Sequence, residues 1–300
     1  MDAVLTLIAG PGTGIEAGLV EAVRDALASV GIAAARPVWL APGQACDIEF
    51  QGSPDQAEAA AALVVNGAAV DLVAQRSLDR RKRLLISDME STIIRQELLD
   101  ELGRLAGVGP AVADITRRAM AGELDFVDAI RTRVAMLEGL PVTALEEVAA
   151  GIELMPGALA LVRTMRQAGA WCMLVSGGFR VFTSRVARQV GFDAETGSQL
   201  ETYGGKLTGR MIEPILDPDG KANILVRTVV ARRTPLRATV AVGDGANDLP
   251  MLEIAGLGVA YHASPRVAGM ARARLDHADL TGLLYAQGYR QSEIIFGESP

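Results

Sequence analysis

The chain has 300 residues, half of them hydrophobic and only 4% aromatic, which suggests about two domains and leaves room for a large core. Its formal net charge of −7 argues against nucleic acid as the main partner, and its two cysteines, Cys46 and Cys172, are too few for a disulfide framework. No stretch approaches the ~18–20 apolar residues of a membrane span, and no basic segment precedes the first apolar run, so we expect a cytoplasmic protein without a membrane partner.

The first quarter of the chain alternates strand-like and helix-like segments. A strand at residues 3–9 leads through a glycine loop at 10–14 into an amphipathic helix at about 15–30. Further segments are predicted as strands at 39–40, 46–50 and 70–73 and as an alanine-rich helix at 54–65. The order βαββαβ is typical of a small ferredoxin-like α+β sandwich.

The pattern changes after a basic run at residues 76–83. That run could bind nucleic acid, but a solvated linker between two domains explains it better. Beyond it, short apolar strands without polar alternation are separated by helical segments, and they lie at 84–87, 171–175, 239–242 and 257–260. This is typical of a parallel sheet covered on both faces. A helical insert at about 93–154 follows the first of these strands, where it would lie over the strand tips as a lid.

Two of these strands end in acidic residues. Asp88 and Glu90 follow the first strand, and Asp244 and Asp248 follow the third. The carboxyl ends of parallel strands line the crevice where α/β sheets bind ligands, and carboxylate oxygens there suit Mg²⁺. An aspartate beside such an ion can attack phosphorus, and an acid two residues further on can handle the proton. Taken singly, the same residues also fit surface acids and helix caps.

A phosphate site is indicated by a glycine turn and a lysine between these acids. Ser176, Gly177 and Gly178 end one strand and open a helix, where backbone N–H groups favour an anion. Lys221 precedes another helix. Taken alone, the segment at 176–178 is typical of an ordinary glycine turn, and Lys221 is typical of a solvated charge. Together with the carboxylates they indicate a magnesium-dependent phosphatase.

These four pieces resemble, in their order, the four motifs of the haloacid-dehalogenase superfamily. The resemblance extends to the phosphoserine phosphatases of that superfamily through Glu97, Met120, Arg133 and the stretch at 204–209. It covers about residues 84–290 without a large gap. One such motif could occur by chance, whereas the four motifs in this order are highly specific for the superfamily.

The resemblance implies two domains. A phosphatase domain at 79–300 would combine a Rossmann-like core (79–92 and 156–300) with a helical-bundle cap (93–155). Residues 1–78 resemble, through element order alone, the ACT-like domain that precedes some phosphoserine phosphatases. The implied fold class is therefore α/β, preceded by a ferredoxin-like α+β domain.

The resemblance also implies roles for the residues of the core. Asp88 would be the nucleophile that forms an aspartyl-phosphate, and Glu90 the general acid and base. Asp88, Asp244 and the backbone carbonyl of Glu90 would ligate Mg²⁺, while Asp248 would hold the waters of the metal. The implied phosphate ligands are Ser176, Gly177 and Lys221.

In the cap, the resemblance implies contacts with an amino-acid substrate. Glu97 would bind its ammonium and Arg133 its carboxylate, a pairing that a guanidinium makes well. Met120 and Phe126 would pack over the substrate, and Asn247 would lie near it. The expected reaction is hydrolysis of O-phospho-L-serine, the last step of serine biosynthesis.

Position 90 departs from the usual family pattern Asp-x-Asp-x-Thr, because the second acid is Glu90. One extra methylene would displace the carboxyl group by about 1 Å, and such an error can cost about 100-fold in rate. Some phosphatases of the family resemble this chain in carrying Glu there, so we expect an active enzyme.

The first domain carries further expectations. ACT-like domains often bind amino acids at the loop that corresponds to residues 10–14, but we favour a structural or dimerising module, which would give a homodimer. That loop lacks the Gly-Lys-Ser/Thr ending of a phosphate-binding P-loop. His262 and His277 lie too far from any Cys or His cluster to indicate zinc.

Two alternative functions stay open at this stage. The chain could be a phosphatase or phosphotransferase for another small phosphate ester. It could also be a catalytically silent amino-acid sensor, with Glu90 as a sign of lost activity.

Overall fold

The computed structural model describes residues 1–296, apart from the side chain of Met120, so the predicted contact of Met120 with substrate lies outside the described residues. Two compact units are present. The front unit comprises Met1–Arg83, Pro156–Ala170 and the chain from Ala273 onward. The core unit comprises Leu84–Met155 and Trp171–Arg272. Each unit is described separately below.

The secondary structure alternates along the chain. The strands are β1 (Ala3–Ala9), β2 (Ala33–Ala34), β3 (Val38–Ala41), β4 (Ala45–Gln51), β5 (Val70–Arg76), β6 (Leu84–Ser87), β7 (Trp171–Phe179), β8 (Ala194–Tyr203), β9 (Lys206–Ile212), β10 (Thr239–Gly243), β11 (Leu257–Tyr261) and β12 (Ala273–Leu275). The helices are α1 (Ala17–Ser29), α2 (Pro54–Val65), α3 (Leu98–Leu105), α4 (Gly109–Met120), α5 (Phe126–Ala135), α6 (Thr143–Ala150), α7 (Ala158–Gln167), α8 (Arg180–Val190), α9 (Pro218–Arg232), α10 (Leu249–Ile254), α11 (Pro265–Ala268) and α12 (Gly282–Ala286). Within residues 1–296, no helix is long and apolar enough to cross a membrane.

The front unit contains an antiparallel sheet in the order β2-β4-β1-β5, with β3 beside β4. Alternate residues of these strands, such as Leu5, Leu7 and Ile48, form an apolar core with α1 and α2. The predicted order βαββαβ is therefore present, with the short β2 added. An ACT-like identity for this domain stays a prediction.

The opposite face of this sheet is polar, and the last part of the chain covers it. Asp71 accepts hydrogen bonds from three consecutive backbone N–H groups, those of residues 276–278, at 2.8–3.2 Å. Gln75 donates through Nε2 to the carbonyl of Ala286 at 2.7 Å. The face is thus completed by residues about 200 positions away in sequence.

The basic run at 76–83 differs from the predicted solvated linker. Arg80 makes a two-pronged ion pair with Asp47 at 2.7 Å and also donates to Thr6 and to the carbonyl of Ala286. Only 15% of the Arg80 side chain is exposed. The carboxylate of Asp47 is buried on this face and needs a partner, which Arg80 supplies.

The core unit contains a sheet in the order β11-β10-β6-β7-β8-β9. Strands β11, β10, β6, β7 and β8 are parallel, and β9 is antiparallel to β8. The four predicted apolar strands are confirmed as β6, β7, β10 and β11. The β8–β9 hairpin was not predicted, although Gly204-Gly205 between two polar strands is a recognisable hairpin turn.

The predicted insert after β6 is helical, and it consists of α3, α4, α5 and α6. Its helices contact one another, and α5 also packs on β9. Gly103 allows α3 and α4 to approach closely, because a Cβ there would lie 2.9 Å from a methyl group of Val112. We refer to α3–α6 as the cap helices. The α/β fold with a helical insert is confirmed.

Candidate active site

Three carboxylates meet at the carboxyl ends of two neighbouring strands. Asp88 follows β6, and Asp244 follows β10, which pairs in parallel with β6. Oxygen atoms of Asp88, Asp244 and Asp248 lie within 4.8 Å of one another. The backbone N–H of Asp88 donates to the carbonyl of Val242 at 3.0 Å, which extends the strand pairing to the site itself.

Hydrogen bonds from neighbouring residues orient two of these carboxylates. The hydroxyl of Thr92 donates to Oδ1 of Asp244 at 3.0 Å. The N–H of Gly245 donates to Oδ2 of Asp248 at 3.1 Å. A Cβ on Gly243 would lie 2.4 Å from the Asp248 carboxyl group, so only glycine allows this approach. The glycine at position 243 thus follows from close packing against Asp248.

Lys221 is the cation of the cluster. Its Nζ lies 2.7 Å from Oδ1 of Asp88 and 2.7 Å from Oδ1 of Asp248, and the residue is 0% exposed. Lys221 stands in the first turn of α9, which Asp217 caps by accepting from the N–H of Gly220 at 2.7 Å. The capped first turn of α9 therefore fixes the position of Lys221.

The cluster carries more negative than positive charge, and its pKa values reflect this. Burial, together with the charge of Asp248, raises the pKa of Asp88 to about 7 against the opposing effect of Lys221. Burial and both neighbouring aspartates raise the pKa of Asp244 well above its usual range. Burial lowers the pKa of Lys221, but the two carboxylates outweigh this and leave it above its ordinary value. Three oxygen donors with uncompensated charge fit a hard divalent cation.

The predicted glycine turn, residues 176–178, lies at the same cavity and forms the last part of β7, which extends to Phe179. Ser176 accepts a hydrogen bond from the N–H of Gly178 at 2.9 Å through its hydroxyl oxygen. A Cβ on Gly177 would lie 2.5 Å from the ring of Phe126. Helix α8 begins at Arg180, immediately after the turn. The turn can therefore offer a hydroxyl and backbone N–H groups to an anion.

Glu90 is held between this turn and a cap helix. Its Oε1 accepts from the N–H of Leu98, the first residue of α3, at 2.8 Å. A Cβ on Gly178 would lie 2.6 Å from its Oε2. Burial raises the pKa of the Glu90 carboxyl group. An acid with a raised pKa is suited to donate a proton near neutral pH.

One cavity brings most of the predicted site residues together. Its empty space is about 610 Å³ when the open mouth is counted. The predicted residues that line it are Asp88, Glu90, Glu97, Phe126, Arg133, Ser176, Gly177 and Asn247. Lys221, Asp244 and Asp248 adjoin it through the carboxylate cluster.

Two charged cap residues face this cavity from different helices. Glu97 accepts from the hydroxyl of Ser91 at 2.7 Å, and burial together with Glu90 and Asp244 raises its pKa well above the usual range. Arg133 is 6% exposed, and burial lowers the pKa of its guanidinium. A buried acid and a buried arginine in one cavity can bind groups of opposite charge on one ligand.

Sequence reasoning missed several residues that shape the site. Ser91 and Thr92, which directly follow Glu90, orient Glu97 and Asp244 through their hydroxyl groups. Thr116 lines the cavity and contacts Arg133. No periodicity or motif marks Thr116, because its partners come from other helices.

Comparison with known proteins finds relatives that are similar in sequence and in structure. The chain is 44% identical over 215 residues to a phosphoserine phosphatase of Mycobacterium tuberculosis, an alignment that covers 72% of this chain and 53% of that protein. It is similar in structure to a probable phosphoserine phosphatase of Vibrio cholerae, with a TM-score of 0.77, 31% identity and coverage of 97% and 88% of the two chains. A substrate-bound phosphoserine phosphatase complex gives a TM-score of 0.66 at 33% identity, covering 70% of this chain and 99% of that one.

The alignment with several curated relatives covers only part of their length. The aligned part spans 53%, 63% and 56% of three phosphoserine phosphatases that resemble this chain at 40–44% identity. A family profile described as haloacid dehalogenase-like hydrolase matches residues 85–253, which include β6 with Asp88 and β10 with Asp244 and Asp248. The chain belongs to the haloacid dehalogenase-like hydrolase family.

Proposed function

We propose that the chain is a phosphoric monoester hydrolase that cleaves O-phospho-L-serine into L-serine and phosphate. One observation carries the proposal: a single cavity is lined by Asp88 and Ser176 and by two side chains of opposite charge, Glu97 and Arg133. Phosphoserine carries a phosphate, an ammonium and a carboxylate, which match these three sets of groups. The phosphoserine phosphatases among its relatives support the same substrate.

The donor set of the carboxylate cluster suits Mg²⁺. Asp88, Asp244 and the backbone carbonyl of Glu90 would hold the ion, and Asp248 would hold its waters. When bound, Mg²⁺ would neutralise charge on the phosphate and on the carboxylates around it. The uncompensated charge of the three aspartates supports a divalent rather than a monovalent ion.

The first half-reaction begins at Asp88. A carboxylate oxygen of Asp88 attacks phosphorus, the bond from phosphorus to the serine oxygen breaks, and Glu90 gives its proton to that oxygen. The products are serine and an aspartyl-phosphate. Ser176, Gly177 and Lys221 bind the phosphoryl oxygens throughout. Because Lys221 already lies 2.7 Å from Asp88, its charge is next to the nucleophile and the phosphate at once.

The second half-reaction reverses the role of Glu90. Its carboxylate takes a proton from water, the water oxygen attacks phosphorus, and the bond to Asp88 breaks. Phosphate leaves and Asp88 is restored. The raised pKa of Glu90 supports its role as proton donor, because burial makes its protonated form more accessible than that of an exposed glutamate.

Recognition of the amino-acid part falls to the cap residues. Glu97 would pair with the ammonium and Arg133 with the carboxylate. Phe126, which lies against Gly177, would cover the substrate, as would Met120, and Asn247 would contact it from the core side. The closeness of Phe126 to the glycine turn supports a small substrate.

The wider assignments follow as part of the proposal. We propose an ACT-like domain at residues 1–78, a phosphatase domain at 79–300, a homodimer formed through the first domain and a cytoplasmic location. Sedimentation equilibrium tests the dimer: a monomer at micromolar concentration would contradict it.

The test is phosphate release from a panel of phosphate esters with Mg²⁺, with and without EDTA. Phosphoserine should be the preferred ester, EDTA should abolish turnover, and Asp88→Asn should be inactive. Preference for a sugar phosphate would favour a phosphatase for another ester. Saturable serine binding with no hydrolysis by the full chain would favour a silent amino-acid sensor.

A further inference from the structure

Three cap helices each contribute one residue to a chain of hydrogen bonds beside the cavity. Arg133 of α5 donates through Nη1 to the hydroxyl oxygen of Thr116 of α4 at 2.9 Å. The same hydroxyl donates to Oδ1 of Asp100 of α3 at 2.5 Å. Neither Asp100 nor Thr116 belongs to the catalytic or substrate-binding sets described above. We call these three residues the cap relay.

The geometry assigns each hydrogen a direction. A threonine hydroxyl has one hydrogen to donate and two lone pairs to accept with. Because its hydrogen faces Asp100, the hydroxyl presents a lone pair to the guanidinium of Arg133. The alternative acceptor, the carbonyl of Val112, is farther away at 3.2 Å. The hydroxyl therefore acts as an acceptor toward Arg133.

The guanidinium is held at two of its three nitrogen atoms. Its Nε donates to the carbonyl of Ala129 at 3.2 Å and its Nη1 to Thr116. Within the described part of the chain, these two bonds use two of the five N–H donors of the group and involve none of those on Nη2. Arg133 also lines the cavity, so its remaining donors are available to a ligand there. A two-pronged bond to a carboxylate needs this orientation to be held.

Burial makes the relay necessary. Thr116 is 4% and Arg133 6% exposed, so solvent cannot orient the guanidinium. A hydrogen bond to a charged group is worth about twice a neutral one, and the carboxylate at the far end of the relay strengthens it by polarising the threonine hydroxyl.

We propose that Thr116, backed by Asp100, is a positioning residue that aims the guanidinium of Arg133 at the carboxylate of the substrate. The inference rests on the proposed function, because it takes an amino-acid carboxylate as the partner of Arg133. It adds a determinant of substrate choice: the relay should matter for phosphate esters that carry this carboxylate and not for those that lack it.

The test compares phosphoserine with phosphoethanolamine, which has the same phosphate and ammonium but no carboxylate. Thr116→Val keeps the shape of the side chain and removes the hydroxyl. We expect its KM for phosphoserine to rise about 10- to 100-fold with kcat less affected. Its kcat/KM for phosphoethanolamine should stay within about twofold of the parent. Thr116→Ser should restore the phosphoserine KM.

Matched controls separate positioning from general damage. Thr132→Val makes the same change on an exposed hydroxyl of α5 and should leave both substrates unaffected. Asp100→Asn should show a smaller selective rise in KM, whereas Asp114→Asn on the surface of α4 should not. In an Arg133→Ala background, Thr116→Val should add nothing. Equal losses on both substrates, or a further loss in that background, would overturn the inference.

A second readout is independent of turnover. Hydrogen exchange at Nη1 of Arg133, the nitrogen that donates to Thr116, followed by NMR without substrate, should be slow in the parent and in Thr132→Val and faster in Thr116→Val. Slow exchange in Thr116→Val would overturn the positioning role. Failure of the parent to hydrolyse phosphoserine would instead overturn the proposed function, so the two results can be told apart.

Discussion

The backbone N–H of Leu98 donates to Oε1 of Glu90 across 2.8 Å, which links the first residue of a cap helix to the acid that follows β6. The N-terminus of a helix carries partial positive charge, so this bond favours the ionised carboxylate. Burial acts in the opposite direction and is the larger effect, since the pKa of Glu90 is raised. The proton equilibrium of Glu90 therefore depends on where α3 lies.

Substitution at position 90 should separate the charge of the side chain from its length. Glu90→Gln cannot exchange a proton, so we expect turnover of phosphoserine to fall at least about 100-fold. Glu90→Asp should keep a substantial share, because the shorter acid still lies beside the cavity. Steady-state kcat measures both, and equal rates for Glu90→Gln and the parent would remove Glu90 from the mechanism.

Gly178 should be the residue that makes room for the longer acid. A Cβ there would lie 2.6 Å from Oε2 of Glu90 and 3.1 Å from the hydroxyl of Ser176, both of which can move. Gly178→Ala should therefore fold but lower kcat by about 10-fold or more, because Glu90 is displaced.

The shorter acid should rescue this variant. In Gly178→Ala with Glu90→Asp, the clash with Oε2 is relieved, so the double variant should be more active than the product of the two single effects. Gly18→Ala, in α1 where the space is open and the backbone helical, serves as a control for an added methyl group, with thermal unfolding monitored alongside. Additive losses in the double variant would show that Gly178 and Glu90 are independent.

Asp88 should make the metal-free protein less stable as the pH rises. Its pKa is about 7 in the folded protein and about 3.9 in an unfolded chain, so the folded state binds more protons between these values. The stability that this group contributes is fully present below about pH 4 and is lost as the pH rises through about 7. Asp244 shifts in the same direction.

Thermal unfolding in EDTA tests this. At pH 8, Asp88→Asn should unfold at a higher temperature than the parent, with about 2–4 °C expected per kcal/mol. The gap should close at pH 5, where Asp88 is protonated. Mg²⁺ should raise the Tm of the parent more at pH 8 than at pH 5. A parent more stable than Asp88→Asn at pH 8 without metal would contradict the raised pKa.

The ion pair between Arg80 and Asp47 should be a major contributor to the stability of the front unit. Both side chains are largely buried, at 15% and 9% exposure, so Asp47→Ala leaves an arginine without its charge partner. We expect a loss of about 3–5 kcal/mol in the free energy of unfolding by urea. The pair between Arg76 and Asp2 is a matched control, because both side chains are 56% exposed and Asp2→Ala should cost less than about 1 kcal/mol. Similar losses in the two variants would show that burial does not decide the effect.

The sequence was informative where local pattern and chemistry coincide. Apolar runs predicted β6 and β10, and the acids directly after them had to meet because parallel neighbours end at the same edge. The cap helices were predictable from their apolar spacing. The contacts of Asp88 with Lys221, 133 positions apart, followed only from a family resemblance.

Other features could not be predicted because their partners are distant and carry no local signal. Thr116 looks like any polar residue of an amphipathic helix until α3 and α5 lie beside it. Arg80 looks like part of a charged linker until Asp47 and the carbonyl of Ala286 surround it. In both, tertiary contacts decide whether a polar side chain faces water or another part of the chain.

The three N–H groups that bind Asp71 come from residues 276–278, and this sets an order of events during synthesis. The first strands leave the ribosome long before these residues exist, so the sheet face that carries Asp71 stays open to water until residues 276–278 have been made. The strand that carries Asp71 can complete its hydrogen bonds only after residues 276–278 have been made, and deletion of those residues should therefore destabilise this strand first.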